Sequence, residues 1–187
     1  MDTLSDPACR LLLLLLLQDE GESFEFDAAF PTSCTQQNIY ETVAKPIVEQ
    51  VLEGFNGTVM AYGQTGTGKS YTLTELSTSE EDSSSRGIMA RAVEDIFAKA
   101  AELGGALEVH MQYLQIYMED VQDLMDPSAK GIKLGEDGGE VVVRGASQLP
   151  VTSPEEVYEQ LAVGETNRHV ANQKLNAHSS RSHAVLP

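Results

Sequence analysis

Gly63-Gln64-Thr65-Gly66-Thr67-Gly68-Lys69-Ser70 is the stretch of this chain that decides its fold, because it matches the phosphate-loop pattern G-x-x-x-x-G-K-[ST]. Its three glycines let the backbone close around a phosphate with the N–H groups pointing inward. In this pattern the lysine, Lys69, reaches the outer phosphates and the hydroxyl of Ser70 is placed to bind Mg²⁺. The stretch therefore predicts a nucleotide-binding site.

The residues on either side of this loop favour the same interpretation. Thr58–Tyr62 is short, largely apolar and β-favouring, as a buried parallel strand is. Tyr71–Glu75 contains neither Gly nor Pro and is predicted to continue as a helix. A strand, a loop and a helix in this order are the context in which the pattern binds phosphate. The alternative is a glycine-rich surface turn with a solvated lysine.

Two motifs resemble those of kinesin motor domains. Residues 54–73 resemble the kinesin phosphate-loop segment, and Asn176-Ala177-His178-Ser179-Ser180-Arg181-Ser182-His183 resembles the switch I signature N-x-x-S-S-R-S-H. Weaker matches to the same family occur at Phe24–Asp27, Tyr113–Glu119 and Asn167–Ala171. The amino-acid sequences of residues 114–119 and 164–169 are most similar to those of the ungrouped, armadillo-repeat-containing kinesins.

The resemblance implies Mg²⁺ and ATP as ligands and assigns a role to each switch I residue. Ser180 and Ser70 would hold Mg²⁺, while Ser179 would lie near the γ-phosphate and the attacking water. Asn176 would point into the site, and Arg181 would pair with a switch II glutamate when ATP is bound. These roles fit phosphoryl transfer, which requires charge neutralisation on the γ-phosphate and a positioned water. The alternative for the serine cluster is a polar turn.

The resemblance also concerns the adenine side of the site and the rest of the catalytic cycle. Tyr71 occupies the position where the family often places an aromatic ring against adenine. The R-x-R-P motif of the first kinesin strand, which helps to hold adenine, does not occur in this chain, and neither does a D-x-x-G switch II motif. We therefore expect the 187 residues alone to hydrolyse ATP slowly, if at all.

Charge restricts the possible partners. The chain has 12 Lys and Arg against 29 Asp and Glu, a formal net charge of −17, and its cations are scattered singly. Nucleic-acid binding is disfavoured because it needs a basic surface. A surface that binds the acidic microtubule should also carry Lys and Arg. The resemblance implies microtubules as the partner, and we expect the contacts to lie mostly in regions beyond this chain.

A run of seven leucines, Leu11–Leu17, precedes the part of the chain that resembles kinesins. The run is too short to span a membrane, and the acidic Asp2 and Asp6 before it are unlike a signal peptide. We interpret residues 1–21 as an atypical extension and residues 22–187 as a partial motor domain ending after switch I. The expected localisation is cytoplasmic, on the microtubule cytoskeleton, with no membrane partner.

Local patterns predict the elements around the two motifs. A helix is predicted over Gln37–Phe55, capped by Thr35 and interrupted at Pro46, and a second helix over Gly87–Ala101. A strand is predicted over Leu107–Ile116, and a hairpin that turns at Gly138-Gly139 before Val141–Val143. A further helix begins at the capping box Ser153–Glu156. Cys9 and Cys34 are too few for a zinc site or a disulfide framework, so we expect two free thiols.

The predicted fold is α/β, with a P-loop NTPase-type central sheet flanked by helices, like an incomplete kinesin motor. The predicted function is the ATP-binding part of a microtubule motor that couples Mg·ATP hydrolysis to movement. One alternative is a non-motor nucleotide-binding or regulatory fragment with little turnover. Another is a different P-loop enzyme, such as a small-molecule kinase or a GTPase. The chain has no N-K-x-D guanine motif, and the switch I resemblance argues against both enzymes.

Overall fold

The computed structural model describes residues 26–75, 84–104, 107–138, 140–174 and 182–187. The chain forms two compact units, Met1–Ala92 and Val93–Pro187. The predictions for Leu11–Leu17 and for the boundary at residue 22 fall outside the described residues. Within the described ranges, no helix combines the length and the apolar composition needed to cross a bilayer.

The first unit is helical in its described part. It contains α1 (Gln36–Ile39), a π-helical turn (Tyr40–Ala44), α2 (Lys45–Leu52), α3 (Lys69–Thr74) and the start of α4 (Ile88–Glu102). A small core joins these elements. Its buried members are Tyr40, Ala44 and Ile88, and the partly buried Ile39, Val59, Leu73 and Ala92 pack against them. The predicted helix over Gly87–Ala101 is confirmed as α4 within one residue at each end.

The predicted helix over Gln37–Phe55 forms, with an interruption. Thr35 caps it as expected, because its hydroxyl accepts from the N–H of Asn38 at 3.2 Å. The π-helical turn lies immediately before Pro46, and there the N–H of Lys45 bonds to the carbonyl of Tyr40. Proline has no N–H and its ring crowds the preceding turn, so the regular ladder is broken where predicted. The helix ends at Leu52, earlier than predicted.

Two expectations for the first unit were wrong. Residues 58–62 are assigned to neither helix nor strand, and the side chain of Tyr62 is 95% exposed. A strand exists only through hydrogen bonds to a neighbouring strand, and no described strand pairs with this segment.

Cys34 is disulfide-bonded, which contradicts the predicted free thiol.

The described residues of the second unit include seven short strands, all paired antiparallel. They are β1 (Val109–Met111), β2 (Leu114–Tyr117), β3 (Asp120–Asp123), β4 (Lys133–Asp137), β5 (Glu140–Arg144), β6 (Leu149–Val151) and β7 (His183–Val185). They form the pair β1-β6, the three-stranded order β3-β2-β7 and the hairpin β4-β5. The predicted hairpin is confirmed, because Asp137 pairs with Glu140 across the two glycines.

The single strand predicted over Leu107–Ile116 divides into β1 and β2, which belong to different sheets. The division occurs where the backbone changes partners. The N–H of Gln112 donates to the carbonyl of Pro187 at 3.3 Å, and the carbonyl of Tyr113 accepts from the N–H of Leu124 at 2.8 Å. The apolar alternation changes phase at this point, because Met111 and Tyr113 occupy odd positions whereas Leu114 and Ile116 occupy even ones. This shift in the sequence pattern marks the division, which the prediction of one continuous strand did not take into account.

The helix predicted after Ser153 is confirmed as α5 (Pro154–Lys174). The hydroxyl of Ser153 accepts from the N–H of Glu156 at 3.2 Å, which is the first half of the predicted capping box. The carboxylate of Glu156 accepts from the N–H of Thr152 at 2.8 Å, one residue before the N-cap. Val157 and Leu161 are buried, as the pattern predicted.

Candidate functional site

The phosphate-loop residues form a glycine-dependent turn in the first unit. Gly66 and Gly68 have φ of +87° and +90°, a region that other residues adopt at a cost. At Gly63 the constraint is space, because a Cβ there would lie 2.7 Å from the hydroxyl oxygen of Thr67. That hydroxyl donates to the carbonyl of Gln64 at 2.9 Å and closes the turn. Of the two left-handed glycines, Gly68 is required by the pattern, whereas Gly66 occupies one of its variable positions.

Lys69 begins α3 and folds back over this loop. Its ammonium group donates to the carbonyls of Gly63 and Gln64, both at 2.7 Å. Residues 64–68 are exposed, as is Ser70, so their backbone and hydroxyl groups are accessible to a ligand. The loop thus presents a fixed positive charge beside exposed backbone, which suits a phosphate group chemically.

Helix α3 is held in place by contacts that sequence reasoning missed. The side-chain amide of Gln36 donates to the carbonyl of Tyr71 at 2.6 Å, and Leu73 packs into the core. Gly87 lies against the backbone of α3, so closely that a Cβ at this position would be 2.8 Å from the carbonyl oxygen of Thr72. A glutamine in the first turn of a helix is ordinarily exposed to solvent, so nothing in the neighbouring sequence indicates that Gln36 is buried and bonded to α3. The ring of Tyr71 is 57% exposed and accessible to a ligand.

The predicted switch I residues are only partly visible. Asn176, Ser179, Ser180 and Arg181 lie outside the described residues. The last two residues of the motif belong to the second unit, where Ser182 is buried and His183 begins β7, opposite Ile116 of β2. The structure therefore anchors the downstream end of the motif on a sheet.

The upstream end of switch I follows α5, which bonds to residues next to the ends of β2 and β3. The side-chain amide of Asn167 donates to the carbonyl of Leu124 at 2.8 Å. The hydroxyl of Tyr113 donates to the carboxylate of Glu165. Burial of the ring, together with this carboxylate, raises the pKa of the Tyr113 hydroxyl far above its ordinary value of 10.0. Tyr113 therefore stays protonated and keeps donating to Glu165 over the physiological pH range.

Gly164 allows the ring of Tyr113 to lie against α5, because a Cβ at this position would be 2.3 Å from Cδ1 of that ring. Arg168 adds to the same cluster through an ion pair with Glu165 at 3.3 Å. Segment 175–181 thus follows a helix that bonds to Tyr113 and Leu124, and it precedes a strand that pairs with β2.

Comparison with known proteins gives one consistent result. The family model described as the kinesin motor domain matches residues 16–187. The chain is 49% identical to Kinesin-like protein KIN-UC of Arabidopsis thaliana, over 96% of this chain and 17% of that protein. It is 41% identical to the kinesin heavy chain of Drosophila melanogaster, over 89% of this chain and 17% of that protein. The chain thus spans less than a fifth of the length of these relatives.

A solved structure supports the same assignment. The structure described as "Structure of a fast kinesin: Implications for ATPase mechanism and interactions with microtubules" superimposes with a TM-score of 0.78 at 41% identity. The match covers 88% of this chain and 47% of that one. This likeness confirms the predicted α/β fold of the P-loop type, and the chain belongs to the kinesin motor domain family.

Proposed function

We propose that this chain is the ATP-binding part of a kinesin-like microtubule motor, which couples Mg·ATP hydrolysis to movement along microtubules. The observation that carries the proposal is the loop at residues 63–70, with its left-handed glycines and the ammonium of Lys69 folded over it. Membership of the kinesin motor domain family gives this loop its context.

The residues of the loop fit Mg·ATP. The backbone of residues 64–68 is exposed to a ligand, and Lys69 brings positive charge to the phosphates. We assign Mg²⁺ to the hydroxyls of Ser70 and Ser180. The bound ion supplies positive charge that neutralises the phosphate oxygens. We assign the adenine to the exposed ring of Tyr71, because a flat aromatic face suits a purine base.

The remaining assignments concern switch I. We propose that Ser179 orients the attacking water, that Asn176 points into the site, and that Arg181 closes it by pairing with an acidic residue of switch II. Support comes from the anchoring on both sides of this segment, since Asn167 fixes α5 and His183 begins a paired strand.

The partner in this proposal is the microtubule, and the location is the cytoplasmic cytoskeleton. The fast kinesin that this chain resembles is described in terms of an ATPase mechanism and of interactions with microtubules. The net charge of −17 makes an extensive electrostatic contact between this chain and an acidic filament unfavourable. We therefore assign most of the filament contact to other parts of a motor domain.

The test is phosphate release from Mg·ATP by the purified chain, with and without microtubules. We expect slow turnover that is abolished in Lys69→Ala and that changes little when microtubules are added, because we assign most of the filament contact to other parts of a motor domain. Binding of Mg·ATP without phosphate release would favour the non-motor nucleotide-binding alternative. A preference for GTP over ATP would revive the GTPase alternative.

A further inference from the structure

Gln36 is a buried polar residue with a specific partner in the helix that follows the phosphate loop. Its side chain is 4% exposed, and its amide nitrogen donates to the carbonyl of Tyr71 at 2.6 Å. Tyr71 lies in the last turn of the six-residue helix α3, where carbonyl groups are short of donors within the helix. Gln36 supplies a donor from outside α3, at the residue whose ring we assign to adenine.

The oxygen atom of the Gln36 side-chain amide indicates that the contact with Tyr71 has a role besides stability. The Oε1 atom is buried and accepts no hydrogen bond within the described part of the chain. Burying an unpaired carbonyl oxygen is unfavourable, and an apolar side chain of the same length would avoid this cost. A polar group that is retained at such a position calls for a functional explanation.

The position of Gln36 is set independently of α3. Thr35 and Asn38 form a capping box that fixes the first turn of α1. The neighbouring side chain, Gln37, accepts a hydrogen bond from Arg91 of α4. Because α1 is held at its own start and by α4, the amide of Gln36 is a fixed point to which α3 is tied.

We infer that Gln36 is a positioning residue for base recognition, which acts by holding the backbone of Tyr71 so that its ring is presented to adenine. The inference rests on the proposed function, since it requires ATP at residues 63–71. It concerns the base rather than the phosphates, because the bond is made to Tyr71 and not to the loop. Removing the donor should therefore weaken ATP binding while leaving a ligand without a base unaffected.

The experiment compares the binding of Mg·ATP and of magnesium tripolyphosphate, which has the phosphates without the base, to the unmodified chain, Gln36→Met and Gln50→Met. Methionine keeps the length of glutamine and removes the amide. Gln50 of α2 is exposed and provides the matched control. For Gln36→Met we expect ATP affinity to fall about three- to tenfold, as the loss of one hydrogen bond implies, with tripolyphosphate affinity unchanged. Thermal stability should not fall, because the variant also removes the unpaired oxygen.

A double-mutant cycle completes the test. In a Tyr71→Ala background, Gln36→Met should have no further effect on ATP affinity, since the ring that Gln36 positions is gone. Unchanged ATP affinity in the single Gln36→Met variant would overturn the inference. An equal loss of ATP and tripolyphosphate affinity would also overturn it, because that result would mean that Gln36 supports the whole loop. If the unmodified chain bound neither ligand, the proposed function itself would fail.

Discussion

Gly164 shows how one residue can reverse an expectation based on helix propensity. It lies within α5, where replacing glycine by alanine normally stabilises a helix by up to about 1 kcal/mol. Here the added Cβ would lie 2.3 Å from Cδ1 and 2.9 Å from Cε1 of the buried Tyr113 ring. Overpacking of this kind costs about 1–3 kcal/mol. We therefore predict that Gly164→Ala lowers the free energy of unfolding, as measured by urea denaturation.

The matched control for this prediction is the neighbouring Val163→Ala. Val163 is half exposed on the same helix, so its truncation should change stability by less than about 0.5 kcal/mol. A Gly164→Ala variant as stable as the unmodified chain would show that Tyr113 moves aside without cost, contrary to the close packing of its ring on α5.

Individual residues also show what the sequence reveals about the site. Gly68 and Lys69 are recognisable because a specific backbone geometry and a specific charge require those residue types in a fixed spacing. Gln36 is not recognisable, because its role depends on a partner 35 positions away that no local pattern indicates. Roles that come from spacing are predictable, whereas roles that come from tertiary contact are not.

At the scale of elements, the link between β2 and α5 has a measurable pH dependence. The pKa of the Tyr113 hydroxyl is raised in the folded chain, so the folded state holds this proton more tightly than the unfolded state. A group of this kind stabilises the fold fully below its unfolded pKa of about 10, and the stabilisation is lost as pH rises above that value toward the folded pKa. We predict that Tyr113→Phe loses less stability than the unmodified chain between pH 9 and pH 11.

Urea denaturation across this range measures the difference, which for one proton is at most about 1.4 kcal/mol per pH unit. Tyr62→Phe is the control, because it removes a hydroxyl from a ring that is 95% exposed. It should follow the unmodified chain at every pH. Parallel curves for Tyr113→Phe and the unmodified chain would contradict the proposed role of the Tyr113–Glu165 bond.

The elements also separate into predictable and unpredictable kinds. The cap at Thr35, the interruption at Pro46 and the turn at Gly138 follow from neighbouring residues, and each appears where the sequence placed it. Strands were predicted less accurately than these local features, because a strand depends on partners that are distant in the chain. Residues 58–62 have a β-favouring composition and no described partner, and residues 107–116 divide between two sheets where the apolar alternation changes phase at Tyr113-Leu114.

At the scale of the whole molecule, the chain corresponds to about half of the solved kinesin structure that it resembles. It covers 47% of the fast kinesin structure and is matched over nearly its full length by the family model. The phosphate loop lies in one compact unit, and the described end of switch I lies in the other. The chain as a whole carries a formal net charge of −17. What the chain offers to a ligand is therefore the loop, which makes nucleotide binding the central claim.

The most direct test is equilibrium titration of the chain with Mg·ATP, comparing the unmodified protein with Lys69→Ala and Lys99→Ala. Lys99 is an exposed lysine in an ion pair with Glu102 on α4, and it controls for the loss of one positive charge. We predict saturable binding that Lys69→Ala weakens at least about tenfold, as the loss of a charge-assisted contact to phosphate implies, and that Lys99→Ala leaves unchanged. Equal ATP affinity in all three proteins, or no binding by the unmodified chain, would contradict the account.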